Sequence, residues 1–486
     1  MISTMKEFNL YQKLIIYFIS AYVFAYFADF TMGDDGLRHI AFATYPDVMK
    51  SWADVFPNSL FMSDYDPWHV WHAILAFYLQ FFSVDTLHVA INTSSLFLLM
   101  IFIDLLLTKY SKVKFGTLSI IVVLSIVLLG SSRYINLRPD LLSGLYLMAA
   151  LLLTKRHIAL FLITLLYAPS YYLFFLYTGS MGLVYLVLKE HKAFLAVFIA
   201  SCISLAIHLY IDGQAFVQTV IYLLTDQSLR MGLEVGEGKA LFGFLKIFNY
   251  YVLVLLLGSI ISYIIYKKYD YFKKQPIALL LLITSILWIT QVRYFLLLFP
   301  LIILYFVIEI KPMIKTIFSR KIIYYIFKFS HITKLASRVP LFYLIAIPYT
   351  AFMLGFSIHK EAPRKALENK VYFKNENFNN KRILLNQLST DIYYGLYLNP
   401  SIKFIPSCSI GWFEDNKEMK DIYIRMMKEE GINKDELKQL LDFVEADYYM
   451  HMFSTKKQIL NMKELEEIGL ESLLIIDNKL LFKYEH

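Results

Sequence analysis

Cysteine is nearly absent: two residues, Cys202 and Cys408, stand in a chain of 486. One pair cannot supply the disulfide framework of a small secreted fold. Charge is scarce as well, at 18% Asp, Glu, Lys and Arg against roughly 25% in an average globular chain, which argues against a row of soluble domains. Thirteen prolines and eighteen glycines are too few for collagen-like or low-complexity sequence. No repeated motif is visible, which speaks against a transporter built from duplicated halves. What fills the chain is apolar, with 58% hydrophobic and 17% aromatic residues and a mean hydropathy of +0.53. That much Leu, Ile, Phe and Tyr finds burial in a bilayer, and it predicts an α-helical polytopic membrane protein.

Spans of about 17–25 apolar residues are expected at Leu10–Phe30, Val84–Thr108, Phe115–Gly130, Leu141–Thr154, twice within Ile158–Leu188, then at Ala193–Ile211, Phe248–Tyr266, Pro276–Thr290, Tyr294–Ile310 and Pro340–Ile358. Together they make about eleven transmembrane helices, with interruptions expected at Ala168-Pro169-Ser170 and Gly179. The first reads as a signal anchor rather than a cleaved signal peptide. The segments Lys109–Lys114, Lys155-Arg156, Lys189–Lys192, Lys267–Lys274 and Lys311–Arg338 hold eighteen Lys and Arg, which places them in the cytoplasm by the positive-inside rule. The net charge of +8 therefore reports topology, and nucleic acid is not an expected partner. The N-terminus is expected inside, at a plasma (inner) membrane, and the C-terminal part outside.

Residues 1–358 form the expected membrane module, with a first outer loop at 31–68 and a later one at 212–246. Residues 359–486 carry nineteen Lys and Arg against twenty-one Asp and Glu, the balance and size of one soluble domain. Its short apolar blocks predict a small extracytoplasmic α/β domain. Helices are expected at Asn416–Glu430, Lys434–Ala446 and Met462–Ile468, and strands near Arg382–Leu385, Tyr448–Met452, Leu473–Ile476 and Leu480–Tyr484.

The first outer loop is a negative island in this basic protein, holding Asp34, Asp35, Asp47, Asp54, Asp64 and Asp66 against Arg38 and Lys50. If a helix opens at Gly33-Asp34-Asp35-Gly36, Asp34 with Arg38 and Asp35 with His39 stand at i and i+4. The two carboxylates then point about 100° apart and suit different jobs, one as a base and one as an orienter or metal ligand. Asp34 reads equally as a helix N-cap, as does Asp66 before Pro67. His69 and His72, at i and i+3, share a helix face open to a metal or to an interfacial role. Farther on, Arg133, Arg138 and Asp140 in the second outer loop, and Arg293-Tyr294 at the head of a late span, put charge at the outer ends of apolar helices. Such charges are functional candidates, and arginine's planar fork suits a phosphate.

In order, these motifs resemble those of the GT-C superfamily of membrane glycosyltransferases, in the branch of protein O-mannosyltransferases and lipid A aminoarabinose transferases. The resemblance rests on Asp34-Asp35 opening a helix after the first span, on Asp66-Pro67-Trp68-His69-Val70-Trp71-His72 before the second, on Arg138-Pro139-Asp140, and on Arg293-Tyr294 with Pro300, followed by a soluble C-terminal domain. It implies a GT-C-like fold and transfer of a hexosyl, pentosyl or amino sugar from a polyprenyl-phosphate donor to a hydroxyl of a lipid, glycan or protein acceptor, with inversion if transfer is one displacement. Carried over by position, Asp34 is the general base, Asp35 orients the acceptor or a metal, and Asp140 assists. Arg38, His39, Asp66, His69, His72, Arg133, Arg138, Arg293 and Tyr294 are the substrate- and phosphate-binding set. The resemblance fixes no cofactor; a divalent cation, Mg²⁺ or Mn²⁺, stays open, with Asp35, His39, Asp66 and His69 as candidate ligands. The chain departs from the family pattern in having Asp-Asp where Asp-Glu is common. It also lacks a Trp-Trp-Asp motif, Gly411-Trp412-Phe413-Glu414-Asp415 being only superficially similar. A lipid-linked glycan flippase or a glycan polymerase is the competing reading.

Overall fold

The computed structural model describes residues 9–27, 35–47, 68–111, 118–130, 134–135, 137–213, 216–217, 250–285, 287, 292–318, 371–386, 391–405, 416–427, 431–452, 462–476 and 479–485. Helices run at α1 (Leu10–Phe27), α2 (Asp35–Thr44), α3 (His69–Leu79), α4 (Val84–Tyr110), α5 (Leu118–Gly130), α6 (Leu141–Leu153), α7 (His157–Tyr167), α8 (Phe174–Val187) and α9 (His191–Asp212). They continue with α10 (Tyr250–Lys267), α11 (Tyr269–Lys274), α12 (Pro276–Ile283) and α13 (Val292–Phe318). The chain divides into two compact units. One comprises Met1–Thr31, Gln80–Ser204 and Glu237–Ala362, the other Met32–Leu79, Leu205–Gly236 and Pro363–His486.

The first unit is helical among its described residues. α4 buries Leu87, Ile91, Leu96, Leu99 and Ile103, a stripe at helical spacing, and packs on α1, α5 and α6. Polar side chains lock one end of this packing. Lys13 of α1 pairs with Asp104 of α4 at 2.9 Å. The Lys109 ammonium donates to the Leu151 and Leu152 carbonyls at 3.0 and 3.2 Å, which satisfies carbonyls that the end of α6 leaves without helical donors.

The expectation of about eleven membrane spans is corrected by the helix lengths. Among the described residues only two helices, Thr86–Tyr110 and His191–Ile211, are long and apolar enough to cross a membrane. The apolar sequence is present, but the chain turns too often. α6 ends before Lys155-Arg156, and α7 has 11 residues, about 17 Å at 1.5 Å per residue, against a hydrocarbon layer of about 30 Å. α7 runs into the buried 3-10 turn Ala168–Ser170, with Pro169 in its first positions, where a break was expected. Gly179, in contrast, lies inside α8 without interrupting it. α12 stops after 8 residues, and among the described side chains of α13 the apolar stretch is Phe295–Glu309. The span expected at Pro340–Ile358 lies outside the described residues.

The second unit contains a five-stranded sheet. Its strands are β1 (Arg382–Leu385), β2 (Lys403–Ile405), β3 (Tyr448–Met452), β4 (Leu470–Ile476) and β5 (Lys479–Tyr484), in the order β2-β1-β3-β5-β4. β1 pairs in parallel with β2 and β3, while β3–β5 and β5–β4 are antiparallel. Helix α14 (Asp391–Leu398) connects β1 to β2, and α15 (Lys417–Met427), α16 (Lys434–Phe443) and α17 (Met462–Glu467) complete the α/β unit. Apolar residues of α15 and α16 bury against Tyr449, Leu480, Phe482 and Tyr484 of the sheet. A capping box starts α16: Asn433 Oδ1 accepts from the Glu436 amide while Glu436 accepts from the Asn433 amide, both at 2.9 Å, so two orphan donors are satisfied at once. Arg425 of α15 grips Glu436 at 2.6 Å. This charge partner and the capping bond hold the Glu436 carboxyl below its ordinary range.

Candidate functional site

The first unit builds one polar corner from two stretches distant in sequence. α5 ends at Gly130, where an added Cβ would stand 2.9 Å from the Pro300 ring of α13; glycine is what allows the close approach. Four residues on, the buried Tyr134 hydroxyl donates to the Leu297 carbonyl at 2.9 Å. The chain then passes through Leu137, whose φ of +49° is uncommon for a non-glycine residue and costly, and turns into α6 at Arg138-Pro139-Asp140. The amides of Leu141, Leu142 and Ser143 donate to the carbonyls of Arg138, Pro139 and Asp140 at 3.2, 3.1 and 2.9 Å, closing the first tight turns. Leu297 lies one helical turn beyond Arg293 on α13, so the bond ties the loop that leads into Arg138-Pro139-Asp140 to the helix that Arg293-Tyr294 begins.

Asp140 is 6% exposed and makes no capping bond to α6, so the plain N-cap role does not account for it. Its carboxylate lies within electrostatic reach of the phenols of Tyr134 and Tyr167. Tyr167 of α7 shares a hydrogen bond of 2.7 Å with Ser143 and stacks on Tyr146 of α6 with ring centroids 4.4 Å apart. Tyr171 and Tyr177 continue the aromatic cluster. Sequence alone does not single out these tyrosines, because they lie on separate stretches with no common motif. Their one signal is density, with 37 tyrosines in the chain.

In the second unit, α2 is buried along Leu37, Arg38, His39, Ile40, Ala41 and Phe42, and packs on α3 and α14. Arg38, at 4% exposure, is not a surface charge. Its guanidinium lies 5.0 Å from the Trp68 ring centroid, a cation–π distance, and its Nη2 is 3.4 Å from His39 Nε2. His39 Nδ1 in turn stands 2.7 Å from His72 Nε2. Guanidinium only donates, so His39 Nε2 accepts and its proton sits on Nδ1. That proton is donated to His72 Nε2, which places the proton of a neutral His72 on its own Nδ1. Phe42 stacks on His72 at 5.0 Å. His69 turns to another partner, His208, with centroids 6.2 Å apart, and His208 stacks on Phe216 at 4.9 Å. The shared face expected of His69 and His72 is thus split between two neighbours.

Asp34, Asp66 and Arg133 lie outside the described residues. Asp35 opens α2, and Arg293 and Tyr294 lie in the first turn of α13, but the placement of these three side chains is likewise outside what is described. Among the described residues no group of three or more His, Cys, Asp or Glu is placed to hold a metal ion. Of the candidate ligands, His39 is committed to His72 and His69 is beside His208. Comparison with protein-family models and with curated proteins finds no match.

Proposed function

We propose that this protein is a membrane glycosyltransferase that moves a sugar from a polyprenyl-phosphate donor to an acceptor hydroxyl at the outer face of the plasma membrane. The observation that carries the reading is the corner at which Tyr134 ties the Arg138-Pro139-Asp140 turn to the helix turn following Arg293. A buried bond there joins the loop leading into one motif assigned to phosphate recognition to the helix that the other motif begins, about 150 residues away in sequence. An arginine just ahead of a helix start, as Arg138 is ahead of α6, suits the anion that leaves when a glycosyl phosphate is cleaved. A lipid setting is supported by the apolar residues that the first unit leaves exposed, among them Ile15, Phe18 and Ile19 of α1, Ile158, Leu162 and Leu166 of α7, and Leu255 and Tyr266 of α10. Solvent-facing stripes of this kind mark surfaces that meet another apolar phase.

In the proposed reaction Asp34 accepts the proton of the acceptor hydroxyl as its oxygen forms a bond to the anomeric carbon. The bond from that carbon to the phosphate oxygen breaks, the electron pair leaves with polyprenyl phosphate, and configuration inverts. Asp35 orients the acceptor, and Arg138 and Arg293 stabilise the departing phosphate. The test is reconstitution in vesicles with radiolabelled hexosyl, pentosyl and amino-sugar polyprenyl phosphates, alongside mass spectrometry of lipid-linked and surface glycans with and without the protein. Asp34→Asn is expected to abolish transfer while insertion and folding persist. Near-wild-type turnover in that variant would remove the catalytic assignment, and movement of lipid-linked sugar across the membrane without transfer would replace the enzyme by a flippase.

A further inference from the structure

The sheet of the second unit has two faces. One is closed by α15 and α16. The opposite face carries Tyr448 and Leu481, and a pair of 3-10 turns, Val371–Lys374 and Glu376–Phe378, covers it in part. Phe378 meets Tyr448 edge-on with centroids 5.1 Å apart, and the Tyr448 hydroxyl donates to the Asn377 carbonyl at 3.4 Å. A cavity of about 280 Å³ remains, lined by Tyr372, Asn375, Asn377, Phe378 and Tyr448, with Leu473 and Leu481. Leu473 sits in the irregularity between Ser472 and Leu474 and is 46% exposed, so β4 departs from regular pairing beside the cleft.

We propose that this cleft binds a single neutral saccharide ring. Among the described residues none that lines the cleft is charged, so none of them pairs with a phosphate, a carboxylate or an ammonium group. The three aromatic side chains offer flat apolar surfaces to the C–H face of a pyranose or furanose, and the asparagine amides offer the mixed donors and acceptors that vicinal hydroxyls need. An acyl chain would gain nothing from the amides. The volume lies near the lower end of the ~300–1,000 Å³ typical of ligand pockets, room for one ring rather than an oligosaccharide. The amide side is built in advance: Asn375 Oδ1 accepts from the Asn377 backbone amide at 3.0 Å, which fixes the turn and directs the remaining hydrogen-bonding capacity of Asn375 to its Nδ2 group. Pre-ordering of this kind reduces the entropy lost on binding.

None of the residues that line the cleft is among those assigned to transfer, so the two readings fail separately. The full chain in nanodiscs is titrated with mannose, glucose, arabinose and N-acetylglucosamine, and binding is read by saturation-transfer NMR. At least one sugar is expected to bind, with affinity lowered tenfold or more in Tyr372→Ala, lowered severalfold in Asn375→Asp, which keeps the turn-forming oxygen but removes the amide donor, and largely retained in Tyr372→Phe. Asp34→Asn is expected to bind as the unaltered chain does. Failure of all four sugars to bind, equal binding in Tyr372→Ala and Asn375→Asp, or tighter binding of mannose 1-phosphate than of mannose would each overturn the proposal while leaving the transfer reading standing.

Discussion

Tyr134 and Leu297 stand 163 positions apart in the sequence and are joined by a buried hydrogen bond of 2.9 Å. Tyr134→Phe keeps the ring and removes the donor. It is expected to cost about 1 kcal/mol of stability, the usual net scale of a hydrogen bond whose acceptor keeps its helical partner. On the proposed transferase reading, loss of the bond loosens the loop into Arg138–Asp140 and glycosyl transfer is expected to fall by about tenfold to a hundredfold, the upper figure being the effect of a misplacement of about 1 Å. Thermal unfolding together with turnover on the labelled donor checks both. Unchanged turnover with lowered stability would show that the bond is structural only.

Gly144 of α6 faces the same tyrosine. A Cβ there would overlap the Tyr134 hydroxyl and come within 3.2 Å of Leu297 Cδ1, so Gly144→Ala is expected to destabilise by ~1–3 kcal/mol, the scale of overpacking. Placed in a Tyr134→Phe background, the same substitution is expected to cost less, because the oxygen it strikes is gone. A double-mutant cycle on unfolding free energy measures the difference, and strict additivity would contradict the packing described.

The imidazole chain from Arg38 through His39 to His72 fixes proton positions that solution NMR can read. With selectively ¹⁵N-labelled histidine, His39 and the neutral form of His72 are expected to show Nδ1–H tautomers. An Nε2–H signal from His39 would mean that the Arg38 contact at 3.4 Å is not a hydrogen bond.

Near the carboxyl ends of β1 and β3, His451 Nδ1 lies 3.3 Å from the Asn386 amide nitrogen and 3.2 Å from the Tyr449 hydroxyl. Both are donors, so the ring accepts on Nδ1 and is neutral in that arrangement. Burial holds the His451 imidazole below its ordinary value. The unfolded chain therefore takes up the proton first, and stability is full above an unfolded value of about 6.5 and lost as pH falls from there through the lower folded value. His451→Gln is expected to flatten this limb, as followed by unfolding of the full chain between pH 7 and 5. The contribution of Glu436, whose folded value is depressed, is lost only at lower pH, below the ordinary carboxylate range, which separates the two effects.

Strands β1 and β3 coincide with the ranges read from sequence, and β5 begins one residue earlier. Each is a short apolar block bounded by polar or turn residues, so local pattern was enough. β2 and α14 went unread: a strand of 3 residues has no period to detect, and Tyr393-Tyr394-Gly395 suggests no helix. Apolar content was legible in the first unit, but helix length was not, because hydropathy does not register where the chain turns back. The Arg138-Pro139-Asp140 motif could be picked out as charge at the end of an apolar run. Its neighbours could not, since Tyr134, Tyr146, Tyr167 and Tyr177 come together only by packing. His69 and His72 mark the limit of spacing arguments: i and i+3 give a common face, and the partners on that face, His208 and His39, decide what each residue does.

The 13 residues of α6 measure about 20 Å, with Asp140 at one end and the Lys109 ammonium seated on the final carbonyls at the other. A hydrocarbon layer of about 30 Å cannot match that distance between two charged ends.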